Sequence, residues 1–122
     1  MKINQTYLMA GIVVVLAIVA FVVLTGGPGK YDGFAQCMTD NGAKMYGAFW
    51  CPHCKDQKAM FGNSWKYVNY VECSAQDGTQ LQACTDAGIK GYPTWEFKNG
   101  SRDSGTLTFE ELARKTGCEL PS

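Results

Sequence analysis

An uncharged apolar run near the N-terminus limits what this chain can fold into. Residues 7–24 read YLMAGIVVVLAIVAFVVL and contain neither a charged residue nor a proline. As an α-helix these eighteen residues span roughly 27 Å, close to the bilayer hydrocarbon thickness of about 30 Å. We predict a transmembrane anchor over residues 7–24, which leaves residues 31–122 for a single domain.

A cleaved secretory signal is the alternative for this run, because such signals also join a basic start to an apolar segment. The run is longer than the usual signal core of about 7 to 15 residues, and no A-x-A pattern follows it. Positive charge at Lys2 and the α-amino group indicates that residues 1–6 form a short cytoplasmic tail. The remaining domain is then expected in a periplasmic or other extracytoplasmic space, as part of a single-pass membrane protein.

Residues 25–30 contain Gly26-Gly27-Pro28-Gly29 and are expected to form a flexible tether.

From Lys30 onward the chain has ten basic and eleven acidic side chains, so its charge gives no argument for binding nucleic acid. The domain is small enough for covalent reinforcement to help its core. An even number of cysteines in a small exported domain favours disulfides, and the domain contains Cys37, Cys51, Cys54, Cys73, Cys84 and Cys118.

Hydrophobic patterning predicts an α/β domain with a mixed sheet of about four strands and helices on both faces. Asn99-Gly100 favours a two-residue type I′ hairpin turn, and Thr108 begins a capping-box pattern. The predicted helices cover residues 31–42, 52–61, 80–87 and 108–116, and the predicted strands cover residues 44–50, 66–73, 94–98 and 101–107.

Cys51 and Cys54 enclose Pro52 and His53 where a strand is predicted to pass into a helix. First-turn amides and the helix dipole stabilise a thiolate there, and the thiolate is the form that attacks disulfides. Cys54 lies one turn later and can close a ring with Cys51. The spacing predicts that Cys51 is the attacking thiol and Cys54 the resolving thiol.

His53 bears on the direction of electron flow, because an imidazole can donate a hydrogen bond or positive charge to the Cys51 thiolate. Stabilising the reduced form in this way makes the disulfide a stronger oxidant. The alternative is a solvated side chain at a helix start. We predict a tuning role for His53.

A zinc site, haem attachment and a structural disulfide are alternative roles for the cysteine pair. The spacing C-x2-C-x18-C-x10-C resembles a zinc ribbon only loosely, and haem attachment needs histidine where Lys55 stands. We therefore predict no metal and no cofactor besides the redox-active disulfide. A non-catalytic binding domain, in which Cys51 and Cys54 form a structural disulfide, stays open.

The motif Trp50-Cys51-Pro52-His53-Cys54, followed by Gly91-Tyr92-Pro93-Thr94, resembles the thioredoxin superfamily, whose active site faces a cis-proline loop. The C-P-H-C sequence is similar to exported thiol oxidases of the DsbA type. KMYGAFWCPHC, KYVNYVECS and GIKGYPTWEFKNG resemble the thioredoxin-like domain fused to, or paired with, bacterial homologues of vitamin K epoxide reductase. This similarity covers nearly all of residues 34–118.

The resemblance implies a thioredoxin fold, exchange of disulfides with client protein thiols, and electron transfer to a quinone-linked membrane enzyme of the vitamin K epoxide reductase type. It also implies that Pro93 is cis and that the Tyr92 backbone pairs with the client chain. Trp50, Tyr92 and Trp95 can rim the client-binding surface, although Trp95 fits a core position equally well.

Many cytosolic reducing thioredoxins carry a buried aspartate where Met45 stands here. The absence of this aspartate fits an oxidant better than a reductant, with an exported reductase or isomerase as the alternative.

The four remaining cysteines are expected to form structural disulfides. Cys73 and Cys84 correspond to a disulfide in the resembling domain, which leaves Cys37 and Cys118 as the second pair. A further redox relay or a thiol pairing between chains is the alternative for Cys37 and Cys118.

Overall fold

The computed structural model describes residues 3–122. Its helices and strands follow the order predicted from the sequence, with an additional 3₁₀-helix after the second domain helix. The elements are α1 (Gln5–Thr25), α2 (Asp32–Asp40), β1 (Lys44–Gly47), α3 (Pro52–Phe61), the 3₁₀-helix (Gly62–Tyr67), β2 (Tyr70–Glu72), α4 (Gln82–Asp86), β3 (Thr94–Glu96), β4 (Arg102–Ser104) and α5 (Phe109–Thr116).

The four strands form one mixed sheet in the order β2-β1-β3-β4. Strand β1 is parallel to β2 and antiparallel to β3, and β4 is antiparallel to β3. The parallel pair requires a crossover connection, which α3 and the 3₁₀-helix provide. The predicted α/β class and its thioredoxin arrangement are confirmed.

The hydrophobic core lies on both faces of the sheet. Met45 belongs to the larger cluster, whereas its neighbour Tyr46 belongs to a smaller cluster, because successive strand residues point to opposite faces. The larger cluster joins α2, α3 and α5 through the rings of Phe34, Phe61 and Phe109, whose centroids lie 5.0–6.4 Å apart. These aromatic contacts hold α3 against the other two helices.

Helix α1 is exposed from Gln5 to Leu24. Its residues Gln5–Leu24 have a mean hydropathy of 3.0, and the helix is long and apolar enough to cross a membrane. A cleaved signal meets the same criteria of length and composition, so the anchor remains a prediction.

The tether contacts the domain instead of running free. The Asn63 side-chain amide donates to the Gly26 carbonyl, and the Lys66 ammonium donates to the Gly27 carbonyl over 2.8 Å. Both donors lie on the 3₁₀-helix. The expected flexible link is therefore held against the domain, through an element that the sequence analysis did not predict.

The predicted strand over residues 66–73 is wrong in its first part. Tyr67 belongs to the 3₁₀-helix, and its carbonyl accepts a hydrogen bond from the Thr39 hydroxyl, which in turn accepts one from the Asn69 amide. The Tyr67 carbonyl and the Asn69 amide therefore pair with α2, and pairing with the sheet begins at the Asn69 carbonyl, which accepts from the Met45 amide. Because that pairing is tertiary, the aromatic and β-branched residues of this stretch could not reveal it.

Strands β1, β3 and β4 are shorter than predicted, and the start of α4 and the hairpin turn also differ from the prediction. Helix α4 begins at Gln82 because Gln80 forms an isolated β-bridge with Ser74. The hairpin has a three-residue loop, since the Phe97 amide donates to the Ser101 carbonyl and only Gly100 of the loop has positive φ. A type I′ turn needs positive φ at both central residues, so that prediction is wrong.

The capping box at Thr108 is confirmed: the hydroxyl accepts from the Glu111 amide, and the Glu111 carboxylate accepts from the Thr108 amide. This arrangement satisfies amides that the first turn of α5 would otherwise leave unpaired.

Two disulfides connect the elements of the domain. Cys37 on α2 bonds to Cys118 after α5 across a sequence separation of 81, and Cys73 after β2 bonds to Cys84 on α4 across a separation of 11. Both pairs agree with the sequence analysis. The first joins the two ends of the domain, and the second closes a short loop beside the sheet.

The two disulfides should stabilise the domain unequally. Because loop-closure entropy grows with loop size, replacing Cys37 and Cys118 by alanine should cost about 4–5 kcal/mol, and replacing Cys73 and Cys84 about 3 kcal/mol. Guanidinium unfolding of the full chain in detergent, followed by tryptophan fluorescence, measures both. An equal or larger loss from the short loop would contradict the chain-entropy explanation.

Candidate active site

Cys51 occupies the N-cap position of α3, with Pro52 in the first helical position. A proline is accommodated there because its missing N–H would have no partner within the helix. The side chain of Cys51 is 6% exposed, and its thiol donates to the Tyr92 carbonyl over 3.7 Å. Cys51 is therefore nearly buried, but a small part of it remains open to solvent.

Cys54 lies behind Cys51, one helical turn into α3, and is completely buried. Burial and contact with the Cys51 thiol raise the pKa of Cys54 to about 11, although a hydrogen bond with the Ala48 backbone and the charge of Lys58 act in the opposite direction. At neutral pH the Cys54 thiol is therefore protonated. This difference in accessibility agrees with the predicted roles of an attacking and a resolving thiol.

Gly47 makes room for Cys54 above strand β1. A Cβ atom at this position would lie 2.9 Å from the Cys54 sulfur and 2.9 Å from the Tyr70 ring carbon Cε2. Real Cβ atoms do not approach other atoms so closely, so a side chain here would displace one of these groups. The absence of a side chain lets the helix bring the buried thiol directly onto the sheet backbone.

The loop opposite the cysteine pair contains a cis peptide bond between Tyr92 and Pro93, as the resemblance implied. Pro93 is fully buried, and the Tyr92 carbonyl faces the Cys51 thiol. The sequence analysis placed both residues at the site, and the structure brings them to it.

Trp50 and Tyr92 form an aromatic rim beside Cys51. Their rings meet edge to face with centroids 5.9 Å apart, and Trp50 is 46% exposed. The Trp50 indole N–H donates to the Ser74 hydroxyl over 2.8 Å, and the Gln80 amide donates to the Tyr92 hydroxyl over 2.8 Å. Sequence reasoning missed Ser74 and Gln80, because their role depends on the loop closed by the Cys73–Cys84 disulfide.

Trp95 does not belong to this rim. It is completely buried, and its indole N–H donates to the side-chain carbonyl of Gln57, which also accepts from the Leu107 amide. Trp95 is therefore a core residue, the second of the two roles that the sequence allowed. The sequence analysis missed Gln57, although its helical spacing from Cys54 and Phe61 indicated a position on the inner face of α3.

His53 lies exposed in the first turn of α3. Its backbone carbonyl accepts a hydrogen bond from the Thr106 hydroxyl over 3.2 Å. Within residues 3–122, no hydrogen bond joins its imidazole to Cys51. The predicted donation to Cys51 is thus not made in this structure, and tuning by His53 remains a hypothesis.

A protein similar to this chain is known from a plant. The thiol-disulfide oxidoreductase LTO1 of Arabidopsis thaliana is 50% identical to it over 91 residues, which cover 70% of this chain. The same region is 24% of the plant protein, so the chain spans about a quarter of the length of that relative. No protein-family model matches the chain.

Alanine substitutions at two glycines test how closely Cys54 and Tyr70 pack on Gly47. Gly47→Ala should destabilise the domain by about 1–3 kcal/mol, because the core must shift around the added methyl group. Gly33→Ala is the matched control: it lies in α2 with nothing within 4 Å of the new Cβ and should be neutral or slightly stabilising. Chemical denaturation of the full chain measures both, and equal stability of the two variants would contradict the packing at Gly47.

Proposed function

We propose that this chain is a membrane-anchored thiol-disulfide oxidoreductase that oxidises client proteins through Cys51 and Cys54. The observation that carries the proposal is the placement of the two free thiols. Cys51, at a helix N-terminus, keeps a small exposed fraction of 6%, and Cys54 is completely buried directly behind it, while the other four cysteines are held in disulfides. The identity with part of a thiol-disulfide oxidoreductase supports the same chemistry.

In the proposed oxidation the active form contains a disulfide between Cys51 and Cys54. A client thiolate attacks the Cys51 sulfur, the bond to Cys54 breaks, and the Cys54 sulfur leaves and takes up a proton. A second client thiolate then attacks the client sulfur of the mixed disulfide and releases Cys51. The client loses two electrons and gains a disulfide, and the chain is left as the dithiol.

We assign client binding to the aromatic rim and to the loop opposite the cysteine pair. Trp50 and Tyr92 present apolar surface next to the attacking sulfur. In the resembling family the backbone before the cis-proline pairs with the client chain, and we assign this role to Tyr92. Pro52 and Pro93 then shape the two sides of the site.

The oxidising direction rests on two features of the sequence. His53 follows the attacking cysteine by two positions at the positive end of α3, where a cationic imidazole would favour the reduced form of the pair. Met45 is buried below the site in place of the acid that many reducing thioredoxins carry.

The partner that restores the disulfide is part of the same proposal. By the family resemblance, electrons pass from the Cys51–Cys54 dithiol to a quinone-linked membrane enzyme of the vitamin K epoxide reductase type. Helix α1 would keep the domain beside such an enzyme, with the N-terminus cytoplasmic and the domain extracytoplasmic. No cofactor other than the disulfide is needed for this exchange.

Trapping of mixed disulfides tests the roles of the two thiols. Cys54→Ala should accumulate mixed disulfides on Cys51, because the resolving thiol is gone. Cys51→Ala is the matched control and should accumulate almost none, since Cys54 is completely buried. Non-reducing electrophoresis with mass spectrometry of membranes from expressing bacteria identifies the products. Equal trapping by the two variants would refute the assignment.

A redox titration tests the direction. The potential of the Cys51–Cys54 pair should lie nearer to about −120 mV, typical of a strong thiol oxidant, than to about −270 mV, typical of thioredoxin. His53→Ala should lower it, because a group that favours the thiolate is lost. Equilibration of the full chain with glutathione, followed by alkylation and mass spectrometry, measures both values. A parent potential near that of thioredoxin would assign the chain to the reductases instead.

A further inference from the structure

Resolution by Cys54 poses a problem of proton transfer. Its thiol is completely buried and has a pKa of about 11, yet it must lose a proton to attack a mixed disulfide and regain one when it leaves. The sheet position that would supply an acid in many thioredoxins holds Met45. Another group must therefore exchange the proton, and the neighbourhood of Cys54 contains a candidate.

Tyr70 lies beside Cys54 on the same face of the sheet. A Cβ atom built on Gly47 would lie 2.9 Å from the Cys54 sulfur and 3.2 Å from the Tyr70 hydroxyl oxygen. The sulfur and the hydroxyl oxygen therefore lie in the same space above Gly47, separated by no more than the sum of these two distances. Because Gly47 has no side chain, this space stays open between the thiol and the phenol.

The Tyr70 hydroxyl is buried and makes no hydrogen bond to any described residue. A buried donor without a partner costs on the order of 1–3 kcal/mol, and such groups are rare in folded proteins. An unpaired polar atom beside a reactive group is one of the situations in which this cost has a functional explanation. The hydroxyl is available to accept a proton from Cys54 and to donate its own.

The Glu72 carboxylate can accept the proton that the Tyr70 hydroxyl gives up. It follows Tyr70 by two positions on β2, so both side chains share one face, and Glu72 is partly exposed. One of its oxygens, Oε2, accepts a 3.2 Å hydrogen bond from the Ser74 amide, which holds the carboxylate near the site. The carboxylate lies near enough to the Tyr70 phenol to raise its pKa, and its partial exposure allows proton exchange with solvent.

The remaining charged and titratable groups around Tyr70 favour movement of the proton from Cys54 through Tyr70 to Glu72. Burial, the Glu72 charge and the two cysteines raise the pKa of Tyr70, so the phenol does not ionise by itself. Lys58 on α3 has its ammonium 4.0 Å from the Tyr70 ring centroid, and its charge favours the Cys54 thiolate. From the 3₁₀-helix, the group packed on the ring is Trp65, which does not titrate.

We propose that the Tyr70 hydroxyl relays the proton of the Cys54 thiol to the Glu72 carboxylate. The thiol gives its proton to the phenol oxygen as the phenol gives its own proton to Glu72. The products are the Cys54 thiolate, neutral Tyr70 and the carboxylic acid of Glu72, and the reverse transfer protonates Cys54 when it leaves. The relay deepens the proposed function and rests on it.

A chromophoric disulfide separates the two thiols in one experiment. The full chain in detergent, reduced at Cys51 and Cys54 only, is mixed with an equimolar amount of dithiobis(nitrobenzoate). Cys51 attacks first, forms a mixed disulfide and releases one nitrothiobenzoate. Cys54 then loses its proton, attacks the Cys51 sulfur and releases the second nitrothiobenzoate, so the dithiol is oxidised and the reagent is reduced by two electrons.

Tyr70→Phe removes only the hydroxyl, and it should slow the second release at pH 6–7 on the order of 100-fold. In this variant the rate of the second release should rise about tenfold for each pH unit, because hydroxide must remove the Cys54 proton directly. The parent should depend less steeply on pH, and the two rates should converge as the pH approaches the Cys54 pKa of about 11. The first release should be unchanged, because it does not involve Cys54.

Glu72→Gln is the second variant and should show the same loss and the same steep pH profile. The Tyr70→Phe, Glu72→Gln double variant should be no slower than either single variant, since both act in one relay. Tyr67→Phe is the matched control: this partly buried tyrosine lies in the 3₁₀-helix and should leave both releases unchanged.

The outcomes distinguish the relay from the proposed function. If the parent shows no first release, Cys51 is not a reactive thiol and the proposed function fails. If the parent shows both releases and Tyr70→Phe has the same second rate and pH profile, the relay is overturned while the proposed function stands. A slow second release in Tyr70→Phe with an unchanged pH profile also overturns it, because the hydroxyl would then act only through packing.

Discussion

The packing of the Cys54 thiol on the backbone of Gly47 is the contact on which the site depends. It fixes how closely the N-terminal turn of α3 approaches strand β1, and it buries one sulfur while leaving the other at the edge of the surface. The phenylalanine rings that join α2, α3 and α5 keep the helix in that position. The unequal environments of two cysteines in one short motif follow from this single approach.

A second set of contacts determines which groups surround the Cys51 sulfur. The short loop closed by Cys73 and Cys84 carries Ser74 and Gln80, which bind Trp50 and Tyr92 respectively. The disulfide is thus connected to the aromatic rim through two side chains, in addition to its effect on the unfolded chain. The same loop therefore contributes to stability and holds the aromatic rim beside Cys51.

Local patterns predicted much of the fold. The bounds of α3 and the capping box of α5 agree with the sequence analysis because each depends on neighbouring residues. The mixed sheet follows from the order of helices and strands, whereas the two disulfides were expected from the family resemblance and from the pair of cysteines that then remained. The prediction failed where the backbone pairs with distant groups. Tyr67 turns towards Thr39 on α2, and Gly26 and Gly27 bind the 3₁₀-helix.

By itself the sequence determined the chemistry that this protein can perform: two thiols three positions apart at a helix start, and an apolar segment long enough to span a membrane. Only the tertiary structure decided which groups act on those thiols. It left His53 exposed with no hydrogen bond from its imidazole to Cys51 among residues 3–122, placed Trp95 in the core and set Tyr70 beside Cys54. The physical reason is that spacing along one helix fixes the distance between the cysteines, whereas burial and proton transfer depend on strands that reach the site from elsewhere in the chain.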